Sequence, residues 1–278
     1  MMALFDQTAL ECSKLITERY STSFTLGIKT LDRKFHFPIY AVYGFVRFAD
    51  EIVDTFHDHD KKTLLDRFKH DTYQAIEDGI SLNPVLHSFQ AVVQQYNIET
   101  ELIDAFLTSM EMDLYHQQYD ANKYNEYIYG SAEVVGLMCL RVFCEGNCDE
   151  FDRLREPARK LGAAFQKVNF LRDLKSDFVE RGRTYFPGVD FNDFSRDAKQ
   201  QIETDIQQDF DEAYIGIMNL PRGARMGVYL AYMYYQTLFN KIKQLPASRV
   251  QNERIRVPNP QKFALLAQTY LKYRLNVL

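Results

Sequence analysis

The chain has no tryptophan, no C-x-x-C pair and no sustained run of basic residues. Its four cysteines, at positions 12, 139, 144 and 148, have no histidines at zinc-ligand spacing, so we expect reduced thiols and neither a zinc site nor a disulfide framework. A net charge of −5 without a basic cluster argues against a nucleic-acid partner, because phosphate backbones are bound by grouped Lys and Arg side chains.

Long apolar runs are also missing. The longest nearly uncharged apolar stretch, residues 227–239, is well short of the roughly 20 residues that a membrane span needs. The first residues have neither a basic segment nor a long apolar segment, so we expect no secretory signal. We therefore expect a cytoplasmic protein without a membrane-spanning helix.

Apolar residues recur at helical spacing along almost the whole chain, and no run alternates with a period of two for long enough to indicate a strand. The sequence therefore predicts an all-α protein. No change of composition, linker or repeat divides the chain, so we expect residues 1–278 to form one domain. The pattern places Pro38 in the first turn of one helix and starts a later helix near Pro157.

Two predicted helices each carry a row of acidic and polar side chains. The first acid row, at spacing i, i+4, i+7 and i+11, consists of Tyr43, Arg47, Asp50 and Asp54. The second acid row, within about 80° of one helix face, consists of Gln166, Asn169, Asp173 and Asp177. Helical geometry points the cations of the second helix, Arg172 among them, away from its acids. Two such rows facing each other would form an oxygen-rich cavity suited to Mg²⁺, which takes one or two carboxylates and completes its shell with water and substrate phosphates.

Small residues interrupt the strongly apolar helix between these rows. Gly130, Ser131, Ala132 and Gly136 allow close helix packing, and they equally leave space that a long apolar substrate could occupy. The sequence leaves both interpretations open.

Three segments together resemble the squalene/phytoene synthase family in order and approximate spacing. They are DEIVD at 50–54 preceded by Arg47, YIYGSAEVVGLM at 127–138, and QKVNFLRDLKSD at 166–177 followed by RGRTYFP at 181–187. The resemblance implies a single all-α isoprenoid synthase domain with a central cavity. It also implies head-to-head condensation of two allylic prenyl diphosphates with Mg²⁺, or with Mn²⁺ in its place.

The same resemblance assigns roles to individual residues. The expected metal ligands are Asp50, Asp54, Asn169, Asp173 and Asp177. The residues expected to touch diphosphate are Ser21, Arg47, Arg172 and Tyr185, and those expected in the pocket wall are Phe24, Tyr43, Tyr127 and Gln166. The four aspartates and Tyr185 are the expected catalytic residues.

Three positions depart from the family's usual pattern. Glu133 stands where a glycine is common, Gln118 where many phytoene synthases have an arginine, and Thr22 where related enzymes have a lysine. The first change would alter the cavity or point outward, and the other two change the charge near the diphosphate.

The resemblance favours condensation of two geranylgeranyl diphosphates to phytoene, formed without NADPH and belonging to carotenoid biosynthesis. The alternatives are a squalene or dehydrosqualene synthase that uses farnesyl diphosphate, and a non-catalytic relative that acts as an assembly protein. Because a long hydrocarbon product leaves into water only at high cost, we also expect peripheral membrane contact. The sequence predicts no oligomeric state.

Overall fold

The structure is a computed structural model that describes residues 2–115, 119–189, 194–275 and 278, apart from the side chains of residues 180 and 181. Regular structure in these residues is helical throughout, without a strand, which confirms the predicted all-α class. The helices are α1 (Met2–Tyr20), α2 (Thr22–Lys29), α3 (Arg33–Asp54), α4 (Lys61–Asp78), α5 (Pro84–Tyr96), α6 (Thr100–Tyr115), α7 (Ala121–Ile128), a π-helical turn (Tyr129–Glu133), α8 (Val134–Phe143), α9 (Cys148–Arg181), α10 (Arg196–Met218), α11 (Arg222–Lys243), α12 (Ala247–Asn252) and α13 (Asn259–Arg274).

Two prolines predicted to lie at helix starts lie inside helices instead. Helix α3 begins at Arg33, five residues before Pro38, and the burial of Phe35 at 1% exposure stabilises this added turn. Helix α9 begins after Asn147, whose side chain accepts a hydrogen bond from the backbone N–H of Glu150 at 3.0 Å. Each proline costs one backbone hydrogen bond, and tertiary packing outweighs that cost here.

The hydrophobic interior consists of two clusters of buried side chains. One cluster gathers α3, α5, α6 and α8 around Phe45, which stacks on Phe89 with ring centroids 3.9 Å apart. The other gathers α9, α10 and α11 around Phe210 and Phe239. Helix α9 packs against α8, α10 and α11, and it contributes buried side chains to both clusters, Leu154 to the first and Val168 to the second.

A π-helical turn, Tyr129–Glu133, breaks the strongly apolar helix that the sequence predicted between the two acid rows. A Cβ atom on Gly130 would lie 2.4 Å from the carbonyl oxygen of Ala105, and one on Gly162 would lie 2.7 Å from that of Ala132. The turn is therefore held between α6 and α9 at distances that only glycine allows. Turns of this kind frequently occur at functional sites.

None of the helices in the described part of the chain combines the length and apolar character needed to cross a bilayer.

Candidate active site

Side chains at the start of α2 and the middle of α3 form a small polar and aromatic group. Ser21 is the N-cap of α2, and its hydroxyl accepts a hydrogen bond from the backbone N–H of Phe24 at 3.2 Å. The ring of Phe24 stacks on that of Tyr43, with centroids 4.8 Å apart. Burial raises the pKa of Tyr43, although Arg47 opposes the change. The structure thus brings together three residues that the sequence assigned separately to diphosphate contact and to the pocket wall.

Arg47 occupies the middle of the first acid row. Its guanidinium pairs with Glu51 and lies 3.8 Å from Asp50, measured from Nη1 to Oδ2, and it covers the ring of Tyr20 at 4.5 Å. Burial alone would lower the pKa of Arg47, but the contacts with the two acids raise it above its ordinary value. The cation is therefore firmly held beside Asp50, with which it could share a ligand.

The second acid row starts at Gln166 and follows α9 toward its C-terminus. Gln166 donates from Nε2 to the hydroxyl of Ser131 at 3.3 Å, which ties α9 to the π-helical turn. Asn169 accepts a hydrogen bond from the hydroxyl of Tyr235 at 3.2 Å, so α11 orients its side chain. These two amides are each positioned by a neighbouring helix.

The prediction that Arg172 points away from the acids of its helix is wrong. Arg172 Nε lies 3.1 Å from both carboxylate oxygens of Asp173, and its Nη2 also contacts this group. Arg254 adds a second cation to Asp173, with Nε 2.8 Å from Oδ1. The helical angle fixes only the direction of Cβ, and the long arginine side chain bends back along the helix to reach its neighbour.

Arg183 contacts both acid rows, one through its guanidinium and the other through its backbone, and no role was predicted for it from the sequence. Helix α9 ends at Arg181, and the φ of 66° at the following Gly182 turns the chain so that the backbone N–H of Arg183 donates to the carbonyl of Asp177 at 2.8 Å. The guanidinium lies 3.4 Å from Asp54 Oδ1 and 3.2 Å from Asp113 Oδ1, and it donates to the carbonyl of Asp113 at 2.8 Å. Its place in the RGRTYFP segment was the available signal, but nothing local indicates a partner 70 residues earlier.

Two predicted site tyrosines lie beneath this network. Tyr127 donates to Asp113 Oδ2 at 2.9 Å, and the hydroxyl of Tyr185 accepts from Arg183 at 3.4 Å. The ring of Tyr185 stacks on Phe170, with centroids 3.9 Å apart. Burial raises the pKa of both tyrosines, so both hydroxyls stay protonated and available as donors. Tyr127 therefore supports the acids and is not among the residues that line the cavity.

An apolar cavity of about 280 Å³ lies between α2, α3, α8, α9, α10 and α11. Phe24, Val46 and Gln166 line it where the two acid rows begin, and Leu154 lines it farther along α9. From Gln166 to Leu154 the helix rises about 18 Å, so the cavity extends far from the acids. Many of its lining residues are small, and they are Gly27, Ala132, Gly136, Ala158, Gly162, Ala213, Gly216, Gly227 and Ala231. The site thus joins a charged end to a deep apolar chamber, as the sequence allowed.

The departures from the family pattern fall in three different places. Glu133 accepts a hydrogen bond from Arg159 Nε at 2.6 Å and does not line the cavity. Arg159 also lies over the ring of Tyr129, 5.3 Å from its centroid. Arg159 therefore contacts both the first and the last residue of the π-helical turn. Thr22 is exposed at the first position of α2, and Gln118 lies outside the described residues.

The donor set at the charged end fits Mg²⁺ held partly by substrate. Within the described ranges, no three His, Cys, Asp or Glu side chains converge as a ready-made metal cage. Mg²⁺ usually binds through one or two carboxylates and keeps water or phosphate oxygens for its other positions. Side chains such as Asp50, 36% exposed, and Asp173, 17% exposed, present carboxylates in this way. Mn²⁺ accepts the same oxygen ligands.

Comparisons with known proteins place this arrangement in a family. Residues 17–261 match squalene/phytoene synthase. A 15-cis-phytoene synthase of Synechocystis sp. is 28% identical, with 96% of this chain and 86% of that protein covered. A 4,4'-diapophytoene synthase of Staphylococcus haemolyticus is 24% identical, over 73% of this chain and 70% of that protein.

Among solved structures, a dehydrosqualene synthase in complex with ligand has a TM-score of 0.81 at 22% identity, covering 96% of this chain and 98% of that one. Squalene synthase HpnC from Alicyclobacillus acidocaldarius has a TM-score of 0.76 at 20% identity, over 89% and 96%. These likenesses confirm the expected isoprenoid synthase fold with its central cavity. The chain belongs to the squalene/phytoene synthase family of prenyltransferases, which condense prenyl diphosphates head to head.

Proposed function

We propose that this chain condenses two geranylgeranyl diphosphates to phytoene through a cyclopropyl diphosphate, with Mg²⁺ and without NADPH. The observation that carries the proposal is the junction of an apolar cavity with two acid rows, since a prenyl diphosphate has the same division into a long hydrocarbon and a charged head. Relatives named phytoene synthase, aligned over most of the chain, favour the C20 substrate. We further propose that residues 1–278 act as one domain.

The charged end would bind and orient the diphosphate. Arg47 and Arg172 offer planar guanidinium groups that can each donate two hydrogen bonds to phosphate oxygens. Asp50, Asp54, Asn169, Asp173 and Asp177 would hold Mg²⁺. When bound, that ion neutralises the charge of the departing diphosphate. Tyr185, buried under Arg183, would act on the diphosphate end by holding this cation in place.

The cavity would protect the allylic cation that remains after the carbon–oxygen bond breaks and the diphosphate takes the electron pair. Its apolar lining excludes water, which would otherwise capture the cation. The stacked rings of Phe24 and Tyr43 present π faces beside the acid rows, each contact contributing on the order of 1 to 2 kcal/mol when desolvated. A double bond of the second substrate then attacks the cation, and loss of a proton closes the cyclopropane ring.

Phytoene formation ends with loss of a proton, whereas squalene formation ends with hydride capture, which requires a nicotinamide cofactor. We propose the former for this chain. We also propose a cytoplasmic enzyme that contacts membranes peripherally. Exposing the product to water would cost about 0.8 kcal/mol per CH₂ group, so release into a bilayer is strongly favoured.

The second candidate is a dehydrosqualene or squalene synthase that acts on farnesyl diphosphate. It is favoured by the relative named 4,4'-diapophytoene synthase and by the similarity to a dehydrosqualene synthase structure. The two candidates share the charged end and differ in the length of the chain that the cavity must accept.

Product analysis separates these candidates. Purified protein would be incubated with Mg²⁺ and either geranylgeranyl or farnesyl diphosphate, with and without NADPH, and the hydrocarbon identified by mass spectrometry. Phytoene from the C20 substrate without NADPH is the expected result. Activity confined to farnesyl diphosphate, or strict dependence on NADPH, would overturn the proposal.

A further inference from the structure

The outward face of α13 is apolar, which is unusual for a surface helix. Leu265, at 8% exposure, and Thr269, at 1%, form its inner face, and Lys272 Nζ donates to the hydroxyl of Tyr229 on α11 at 2.9 Å. The outward face carries Phe263 (59% exposed), Ala267, Tyr270 (49%) and Leu271 (60%), followed by Leu275 (73%). The first four fall within about 100° of arc. The outer face of α13 thus groups several exposed apolar side chains in one arc, with Arg274 in the same arc at the C-terminal end.

The charge around this surface is as distinctive as its hydrophobicity. Residues 254–278 contain five of the chain's 33 Lys and Arg residues and none of its 38 Asp and Glu residues. Residues 1–253 therefore carry 28 cationic side chains against 38 acidic ones. The five cations are Arg254, Arg256, Lys262, Lys272 and Arg274. An acidic protein thus has one segment that is purely basic and bears an exposed apolar helix face.

The same segment borders the candidate active site. Arg254 contacts Asp173 in the second acid row at 2.8 Å, and Lys262 lies over the ring of Tyr234 at 5.3 Å. The next residue of α11, Tyr235, is the one that orients Asn169. Helix α11 also lines the apolar cavity through Gly227, Val228 and Ala231. The outer face of α13 is therefore separated from the cavity by a single layer of helix.

We propose that the outer face of α13, with its basic flanks, docks the protein onto an anionic lipid bilayer. Apolar side chains inserted at the headgroup level and Lys or Arg side chains near anionic headgroups are the two contributions that hold an amphipathic helix at a membrane. A second copy of the chain fits this surface less well, because two copies would bring Arg274 against Arg274 while residues 254–278 offer no acidic side chain to pair with it. The biological purpose, exchange of lipid-soluble substrate and product, rests on the proposed function, but docking itself does not require turnover.

Vesicle co-sedimentation tests the proposal with the full chain. Wild-type protein is mixed with phosphatidylcholine vesicles that contain or lack phosphatidylglycerol, and it should bind the anionic vesicles. The triple variant Phe263→Ser/Tyr270→Ser/Leu271→Ser should bind at least about tenfold more weakly. The matched control Ile80→Ser/Leu82→Ser, which changes exposed apolar residues elsewhere, should bind as wild type does.

A charge variant, Arg256→Gln/Arg274→Gln, separates the electrostatic contribution. It should lose roughly fivefold in binding for each cation removed, and the loss should shrink as salt is added. Absence of wild-type binding, equal loss in the control, or no loss in the triple variant would overturn the proposal. A wild-type dimer that the triple variant converts to a monomer in sedimentation equilibrium would also overturn it, since the face would then be an interface between copies.

Turnover of detergent-dispersed substrate distinguishes this proposal from the proposed function. The triple variant should retain wild-type kcat in detergent while failing to bind vesicles. If wild-type protein bound vesicles but produced no hydrocarbon from either prenyl diphosphate, the proposed function would fail and the docking surface would stand.

Discussion

Replacing Arg183 with methionine removes the guanidinium that links Asp54 of the first acid row to Asp113. Arg183 is 8% exposed, and it makes contacts of 3.2 Å with the Asp113 carboxylate, 2.8 Å with the Asp113 carbonyl and 3.4 Å with Asp54. The Asp113 side chain is only 5% exposed, so the variant leaves a buried carboxylate without this cation. Breaking a buried pair in this way typically costs about 3 to 5 kcal/mol of the free energy of unfolding. The total free energy of unfolding of a protein is about 5 to 15 kcal/mol. Arg183→Met should therefore still fold, with its thermal unfolding midpoint lowered on the order of 10 °C.

Urea unfolding followed by circular dichroism measures this loss, and a double variant identifies its cause. Asp113→Asn removes the negative charge that loses its contact with the guanidinium in Arg183→Met, while the amide oxygen can still accept the hydrogen bond from Tyr127. The double variant should therefore be more stable than Arg183→Met alone by at least about 1 kcal/mol. Arg153→Met is the control, because Arg153 pairs with Glu150 at the surface and is 57% exposed. It should change stability by less than about 1 kcal/mol.

Additivity would refute the reasoning. If the losses of the two single variants summed to the loss of the double variant within about 0.5 kcal/mol, Arg183 and Asp113 would not be energetically coupled. Turnover gives an independent check, because Arg183 is also a contact of Asp54. The variant should show a lower kcat even at temperatures where it is fully folded, since one partner that positions Asp54 is lost.

Three further predictions concern the acids, the π-helical turn and the cavity. Asp50→Asn and Asp173→Asn should each lower turnover at saturating Mg²⁺ roughly a hundredfold or more, because each substitution removes a charge but keeps the side-chain volume. Helicity should not change, and near-normal rates would exclude a metal site between the two acid rows. Burial raises the pKa of Glu133 despite the hydrogen bond from Arg159. The contribution of Glu133 to the free energy of unfolding is therefore greatest below its unfolded pKa and is lost as the pH rises. Urea unfolding should therefore show Glu133→Gln gaining stability relative to wild type as the pH rises above about 4, the ordinary pKa of an unfolded glutamate, and the opposite trend would contradict the assignment. Ala158→Phe fills the cavity about 12 Å beyond Gln166, so kcat/KM should fall at least about tenfold more for geranylgeranyl than for farnesyl diphosphate. Equal losses for the two substrates would show that the cavity does not hold the end of the prenyl chain.

Periodicity was sufficient to predict the helices because their inner faces are apolar at regular spacing. It was insufficient where packing overrides local preference. Pro38 and Pro157 both lie inside helices, and a Cβ on Gly216 would lie 2.2 Å from the Cβ of Pro157, so the proline is accommodated by a glycine 59 residues later. No local pattern carries that information. The π-helical turn could not be predicted from the sequence either, because the close approach of Gly130 to Ala105 depends on how two helices pack.

The candidate site divides along the same physical line. Residues that share one helix face, such as those of each acid row, could be grouped from spacing alone. Their partners could not, because Arg183 and Arg254 reach Asp54 and Asp173 from segments distant in sequence. A reading of spacing alone therefore overestimates how negative the site is.

The structure balances the acids with cations drawn from four separate segments. Arg47 lies beside Asp50 on the same helix, Arg172 bends back along its own helix, and the other two cations come from the turn after α9 and from the segment before α13. A cluster of carboxylates alone would attract Mg²⁺ but repel diphosphate, whereas alternating acids and guanidinium groups can accept a cation and an anion together. In this arrangement the acids would hold the metal and the guanidinium groups would hold the phosphates.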